Sequence, residues 1–273
     1  PVVVLTGLKE TQIQGRNGFT TSTHIRDFVR QYTKWDWQSL RGADIAYDVT
    51  RAIQVAGTVP SGPTWVGLPQ DLLESSGDLP VRTPESTAVS SRIGPDKVAL
   101  ARVVDLLGEA RRPMIVAGAD VARAGATAIE DLGRLAEVIG APVLCEDRRA
   151  FERTALPTMH PSYAGMYDPH RSTVAEADLT LFLGTRFLEF EAPRGTEPWG
   201  QGTIVHVHSD PSEIARIYGV QVGLVADSGA FLRDLLRSVP TSRQAKPDFR
   251  DAARAESDAA RTAILAGGRS IGL

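Results

Sequence analysis

Apolar residues recur along this chain with two periods, and the alternation between them sets out its architecture. Short β-branched runs read as strands: Pro1–Gly7, Thr64–Leu68, Met114–Ala117, Pro142–Cys145, Leu179–Leu183, Ile204–His208 and Val222–Val225. Elsewhere apolar residues return at helical spacing, as in Ile45, Val49, Ala52, Ile53 and Ala56, or Leu100, Val103, Val104 and Leu107. The same spacing holds for Ile129, Leu132, Ala136 and Ile139, and helices are also predicted over Phe231–Val239 and, shorter, over Pro211–Ile217. Strands joined through helices specify an α/β fold, a parallel sheet with helices on both faces.

The pattern divides the chain. Residues 1–74 hold a strand, an irregular segment, a helix and a strand, too few to close a core, so they read as part of an incomplete α/β domain. The run Pro1–Gly7 reads as a strand buried on both faces, which rarely begins a domain, so the chain is expected to start mid-domain. Residues 75–95, rich in Ser, Pro and Gly, read as a linker, and 96–240 as a central Rossmann-like domain. Residues 241–273 read as a connecting helix, from Pro247 to about Ala266, stopped by Gly267-Gly268.

Composition narrows the function classes. At 42% hydrophobic and 23% charged residues, the chain can build a core. A net charge of -3 gives no electrostatic footprint for nucleic acid or an anionic membrane. No apolar run approaches the ~18–20 residues of a transmembrane helix. The single cysteine, Cys145, excludes an internal disulfide and points to a reducing, cytoplasmic compartment; it reads as a packed core thiol.

Candidate chemistry gathers at the carboxyl ends of the predicted strands, where open parallel sheets bind ligands. Those ends read Gly118-Ala119-Asp120, Glu146-Asp147-Arg148, Gly184-Thr185-Arg186, Ser209-Asp210 and Ala226-Asp227. Gly118 and Gly184 would let backbone approach a ligand, Arg186 could hold a phosphate, and Asp210 and Asp227 complete a cofactor-binding edge. The alternative is that small and charged residues simply populate turns; no G-x-G-x-x-G or P-loop is present. His206 and His208 share a strand face and read as half-buried histidines, not a metal pair, since no third ligand sits at a recognisable spacing. Glu189 and Glu191 read as solvated loop charges, and Trp35 and Trp37, in a loop-like stretch, as interface plugs or ligand contacts. No catalytic constellation and no metal site is visible.

At these residues the sequence resembles a known family. Pro1–Gly7, Gly15-Arg16-Asn17-Gly18-Phe19, Tyr32-Thr33-Lys34-Trp35 and Gly62-Pro63-Thr64-Trp65-Val66-Gly67-Leu68-Pro69-Gln70-Asp71 are similar to the back half of the pyrimidine-binding domain of thiamine-diphosphate-dependent enzymes. Arg112–Gly118, Gly140-Ala141-Pro142-Val143, His160-Pro161, Gly165-Met166, Ala177-Asp178-Leu179, Gly184-Thr185-Arg186-Phe187 and Asp210–Ile214 follow in the order of that family's central domain. Each motif is loose; their order carries the resemblance, over about residues 1–240. Benzoylformate decarboxylase and the acetolactate synthase large subunit are the branches it points to.

The resemblance implies a parent that uses thiamine diphosphate and Mg on a small-molecule 2-oxo acid, as a cytoplasmic homodimer or homotetramer. It implies a catalytic Glu upstream of Pro1 and a Gly-Asp-Gly…Asn metal segment beyond Leu273, so the fragment is expected to be inactive alone. Flavin (FAD), which acetolactate synthases carry in the central domain, is possible but not favoured, because Asp120 stands where that group has a glycine. Phe19-Thr20-Thr21 and His208-Ser209-Asp210-Pro211 also depart from the acetolactate synthase pattern, Phe-Gln-Glu and Asp-Ile-Asp-Pro. The rival reading is a free-standing nucleotide-binding module of the same topology without catalysis.

Overall fold

A computed structural model describes the chain except residues 17, 20, 78–82, 91, 147–154, 187–201, 241–246 and 271–273. It separates into two compact units, Pro1–Ser91 and Arg92–Leu273.

The first unit runs β1 (Val2–Leu8), α1 (Ile25–Arg30), β2 (Trp35–Gln38), α2 (Ile45–Gly57), β3 (Pro63–Pro69), α3 (Gln70–Leu73) and α4 (Pro84–Thr87). Among the described residues its parallel sheet has the order β1-β3-β2, so only β3 has a neighbour on both sides. Burial follows: β3 is sealed from Thr64 to Pro69, whereas Val2 and Leu5 of β1 are more than half exposed. The apolar run at the chain start therefore forms a strand, but an exposed edge strand, not one buried on both faces. Pairing, not composition, decides whether a run of valines is covered.

The second unit runs α5 (Lys97–Glu109), β4 (Pro113–Ala117), α6 (Ala119–Ala124), α7 (Ala126–Ile139), β5 (Val143–Cys145), β6 (Tyr163–Met166) and α8 (Ser172–Glu176). It continues with β7 (Leu179–Leu183), β8 (Thr203–His208), β9 (Val222–Val225), α9 (Ser228–Ser238) and α10 (Pro247–Ser270). Among the described residues its sheet has six parallel strands in the order β6-β5-β4-β7-β8-β9. One face buries Ile115, Leu181 and Val205 against Leu107, Leu132 and Phe231 of α5, α7 and α9. The other buries Met114, Phe182 and Ile204 against Val174 of α8 and Phe249 and Ala253 of α10. The fold is α/β, with parallel sheets and helices on both faces of the central one.

Several elements differ from the sequence reading. Residues 211–217 form turns instead of a short helix, because Asp210 holds the Ser212 amide and hydroxyl in a local turn that competes with helix start. Strand β6 lies inside the long loop before residue 179; with four residues and a glycine, it carries no readable period. Trp35 and Trp37 lie on β2, not in a loop: Trp35 packs beside Ala52 and Val66, and the Arg26 guanidinium stacks over Trp37. Helix α10 does not stop at Gly267-Gly268 but continues to Ser270. Among the described residues no helix is long and apolar enough to cross a membrane.

Helix α10 is docked, not a free tether. Glu256 accepts from the amide and hydroxyl of Ser172 and of Thr173, which satisfies donors at the start of α8. Burial raises the Glu256 pKa, but these bonds outweigh it and hold the carboxyl at about 2. Arg171 bonds Glu256 and the carbonyls of Ala164, Met166 and Ala253, tying α10 to β6.

Candidate functional site

In the second unit the strand order runs outward in both directions from the β4–β7 pair, which makes that boundary the topological switch point. A ligand of a doubly wound sheet sits in the crevice beyond such a point, because the connections there leave in opposite directions and open a gap. The turns that border it are Gly118–Asp120 after β4 and Gly184–Arg186 after β7, with Ser209-Asp210 after β8 and Asp227-Ser228 after β9 nearby.

The five residues read from sequence as a cofactor edge lie at this one edge, and each makes contacts within the chain. The Gly118 amide donates to the Leu183 carbonyl, and a Cβ on Gly118 would run into the Gly184 carbonyl. Gly184 has φ +65°, and a Cβ there would come within 2.7 Å of Asp120 Cβ and 3.1 Å of Ser228 Oγ. These glycines let two turns pack against each other, so the space they open holds this chain's own atoms. The Arg186 amide donates to Glu146 Oε1 at 2.7 Å, and its guanidinium faces Glu213 at 3.8 Å. Asp227 caps α9 by accepting from the Ala230 amide at 2.9 Å. Asp210 accepts from Ser212, which with nearby His208 and Arg186 holds its carboxyl below the usual range against the upward push of burial.

Asp120 sits at the centre. Its carboxylate accepts from Ser209 Oγ at 2.5 Å and from Arg123 at 2.8 Å, and His208 Nε2 stands 3.5 Å away. His208 Nδ1 accepts from the Asp210 amide, so the neutral ring carries its proton on Nε2, facing Asp120. Burial pushes the His208 pKa down, with Arg186 assisting, while Asp120 and Glu213 oppose it. His206 donates to the Thr185 carbonyl at 3.1 Å, and burial first of all lowers its pKa to about 4.

Both histidines are fully buried rather than half buried, on the face shared with Phe182. Among the described residues no group of three or more His, Cys, Asp or Glu could hold a metal ion. Cys145 is buried, and burial raises its thiol pKa. Glu189, Glu191, Asp147 and Arg148 lie outside the described residues. Sequence reading placed Glu146 and Ser209 at strand ends and quoted Glu213 in a motif without giving them a role, and it missed Ser228, whose signal is its position just past the end of β9.

A doubly wound domain with polar turns at its switch-point crevice has the topology that many ligand-binding α/β proteins share. Residues 100–235 match the family model of the thiamine pyrophosphate enzyme central domain, and the chain belongs to the thiamine-diphosphate-dependent enzyme family. It is 32% identical over 244 residues to sulfoacetaldehyde acetyltransferase of Rhodobacter capsulatus, covering 86% of this chain and 40% of that one. It is 27% identical over 262 residues to the acetolactate synthase large subunit of Corynebacterium glutamicum, covering 91% of this chain and 40% of the relative. The chain thus spans about two fifths of the length of these curated relatives. Among solved structures, Rhodococcus jostii 4-hydroxybenzoylformate decarboxylase superposes with a TM-score of 0.77 at 23% identity, over 90% of this chain and 47% of that one. Benzoylformate decarboxylase of Polynucleobacter necessarius gives 0.75 at 22%, over 90% and 46%. Both share the fold.

Proposed function

We propose that this chain supplies the central domain and the back half of the pyrimidine-binding domain of a thiamine-diphosphate- and Mg-dependent 2-oxo-acid decarboxylase or carboligase. The observation that carries this reading is the family match over residues 100–235, on a fold shared with solved benzoylformate decarboxylases. In such enzymes the bound cofactor acts as an electron sink for the carbanion left by decarboxylation. The residues present do not fit the metal–diphosphate half of that site. Mg is held by carboxylates together with phosphates, no such cluster stands among the described residues, and the sequence has no Gly-Asp-Gly. What this chain contributes is a rigid middle layer, sealed on both faces of its sheet.

The 273-residue chain alone then neither consumes a 2-oxo acid nor binds thiamine diphosphate tightly. The parent is a cytoplasmic homodimer or homotetramer that does not require flavin. The test compares the 273-residue chain with the product of the whole reading frame, by calorimetry with thiamine diphosphate and Mg and by release of labelled carbon dioxide from 2-oxo acids. Binding and turnover only in the longer protein support the reading. Micromolar, Mg-dependent binding by the 273-residue chain, or none by the longer protein, overturns it.

A further inference from the structure

Helices α5 and α9 are neighbours on one face of the central sheet, and a groove runs between their outer flanks. Val103, Leu106 and Leu107 of α5 and Phe231, Leu232 and Leu235 of α9 turn into the core, which leaves the next residues round each helix at the surface. The cavity there holds about 480 Å³ and is lined by Lys97, Leu100, Val104 and Asp105 of α5 and by Asp234 and Arg237 of α9. That volume falls within the range of small-molecule sites, ~300–1,000 Å³. Leu100 and Val104 are partly buried and form an apolar floor. Asp96 caps α5 through the Val98 and Ala99 amides, which fixes Lys97 in the first turn. Asp234 and Arg237 face each other at 3.6 Å, so the α9 wall neutralises itself. Lys97 and Asp105 differ: among the described residues neither side chain has an ion-pair or hydrogen-bond partner. They stand two helical turns apart on α5, ~12 Å along its axis. None of the strand-end turns described above lines this groove.

We propose that the α5–α9 groove binds a short peptide with apolar side chains and free ends, its carboxylate on Lys97 and its ammonium on Asp105. Charge and length set the ligand. An apolar floor between one unpaired cation and one unpaired anion complements a molecule with opposite charges at its ends and an apolar middle. A single amino acid carries both charges on one carbon and cannot span ~12 Å. Three or four extended residues can, at ~3.3–3.6 Å each. A folded partner fits poorly, because a groove about two helical turns long offers far less than the ~1,000 Å² a specific protein interface buries. Lys97 and Asp105 are exposed, so each charge contributes modestly and salt weakens both. The inference concerns this groove alone, and failure of the proposed 2-oxo-acid activity would leave it untouched.

The test titrates the 273-residue chain by calorimetry with alanyl-leucyl-alanine, either free or blocked at both ends, and with leucine. The native chain is expected to bind the free peptide at ~1 mM or tighter, and the blocked peptide and leucine at least about tenfold more weakly. Lys97→Glu and Asp105→Lys should each weaken binding of the free peptide at least about tenfold. An acid in the first turn of α5 and a base toward its end both suit the helix dipole, so these chains are expected to fold, which near-ultraviolet circular dichroism checks. The double variant Lys97→Glu/Asp105→Lys keeps both charges in exchanged places and should recover most of the affinity, with the peptide reversed. A merely structural role for the two residues would give no such recovery. No saturable heat from the free peptide at ~10 mM would overturn the proposal. So would blocked peptide or leucine that binds the native chain as tightly, or a folded double variant no better than the single ones.

Discussion

The two sheets of this protein are built from equally apolar strands and end up very differently covered. Strand β4 reads Pro-Met-Ile-Val-Ala and is buried at every position; β1 reads Val-Val-Val-Leu-Thr-Gly-Leu and has no fully buried residue. The difference is the number of neighbours. β4 lies between β5 and β7 with packed layers on both faces, while among the described residues β1 pairs only with β3. The first unit's buried cluster is Ala52, Val66 and Leu68, and Phe28, Tyr32 and Ile53 stay more than half exposed around it. Apolar side chains stabilise a fold only when the topology supplies a surface to cover them. The central domain is therefore expected to carry the stability of the chain.

The largest expected effect tests that asymmetry. Phe182 is sealed in β7 against Tyr167 and Met114. Phe182→Ala should destabilise by ~3–5 kcal/mol through the lost burial and the cavity left behind, measured by urea unfolding. A loss near that of a surface change would mean this face is not packed as described.

Acid should act on the same unit. His206 has a pKa of about 4 when folded against 6.5 when free, so the unfolded chain binds the proton more readily. Its stabilising effect is complete above pH 6.5 and disappears as pH falls toward 4, a change of roughly 3 kcal/mol. His206→Gln should flatten the fall in thermal midpoint between pH 6.5 and 4; a profile parallel to the native one would contradict the assignment.

A smaller effect is expected where α10 docks. Glu256→Gln weakens the bonds to Ser172 and Thr173 and should cost about 1–2 kcal/mol at neutral pH. The native carboxylate contributes fully above pH 4.5 and loses its contribution as pH falls toward 2, the sign for a depressed carboxyl. Limited proteolysis checks this directly: cuts within α10 should appear sooner in the variant, and unchanged cutting would show that the helix is held by Phe249 and Ala253 alone.

Much of this was legible before the structure. The strands at 114–117, 179–183, 204–208 and 222–225 and the helical stripes beginning at Leu100 and Ile129 follow from period alone. Motif order named the family. What could not be read is neighbour-dependent. Edge status emptied β1 of burial, and β6 is too short to show a period. The loop-like polar and aromatic stretch around Trp35 hid a four-residue strand that pairs with β3. The candidate edge was legible as a place, not as a role. Gly118 and Gly184 read as ligand cradles; that the turns carrying them also pack against each other could not be read from the sequence.

The smallest effect belongs to the exposed edge. Val4→Thr on β1, where Val4 is 43% exposed, should shift stability by less than about 0.5 kcal/mol. A cost comparable to that of Phe182→Ala would mean that β1 is covered in solution.

Hydrogen exchange on the intact chain tests the central contrast most directly, because it reads both sheets in one sample. Amides of β4, β7 and β8 should exchange only through global opening, and those of β1 and β2 faster by orders of magnitude. Equal protection across the two sheets would contradict the claim that the central domain carries the stability of the chain.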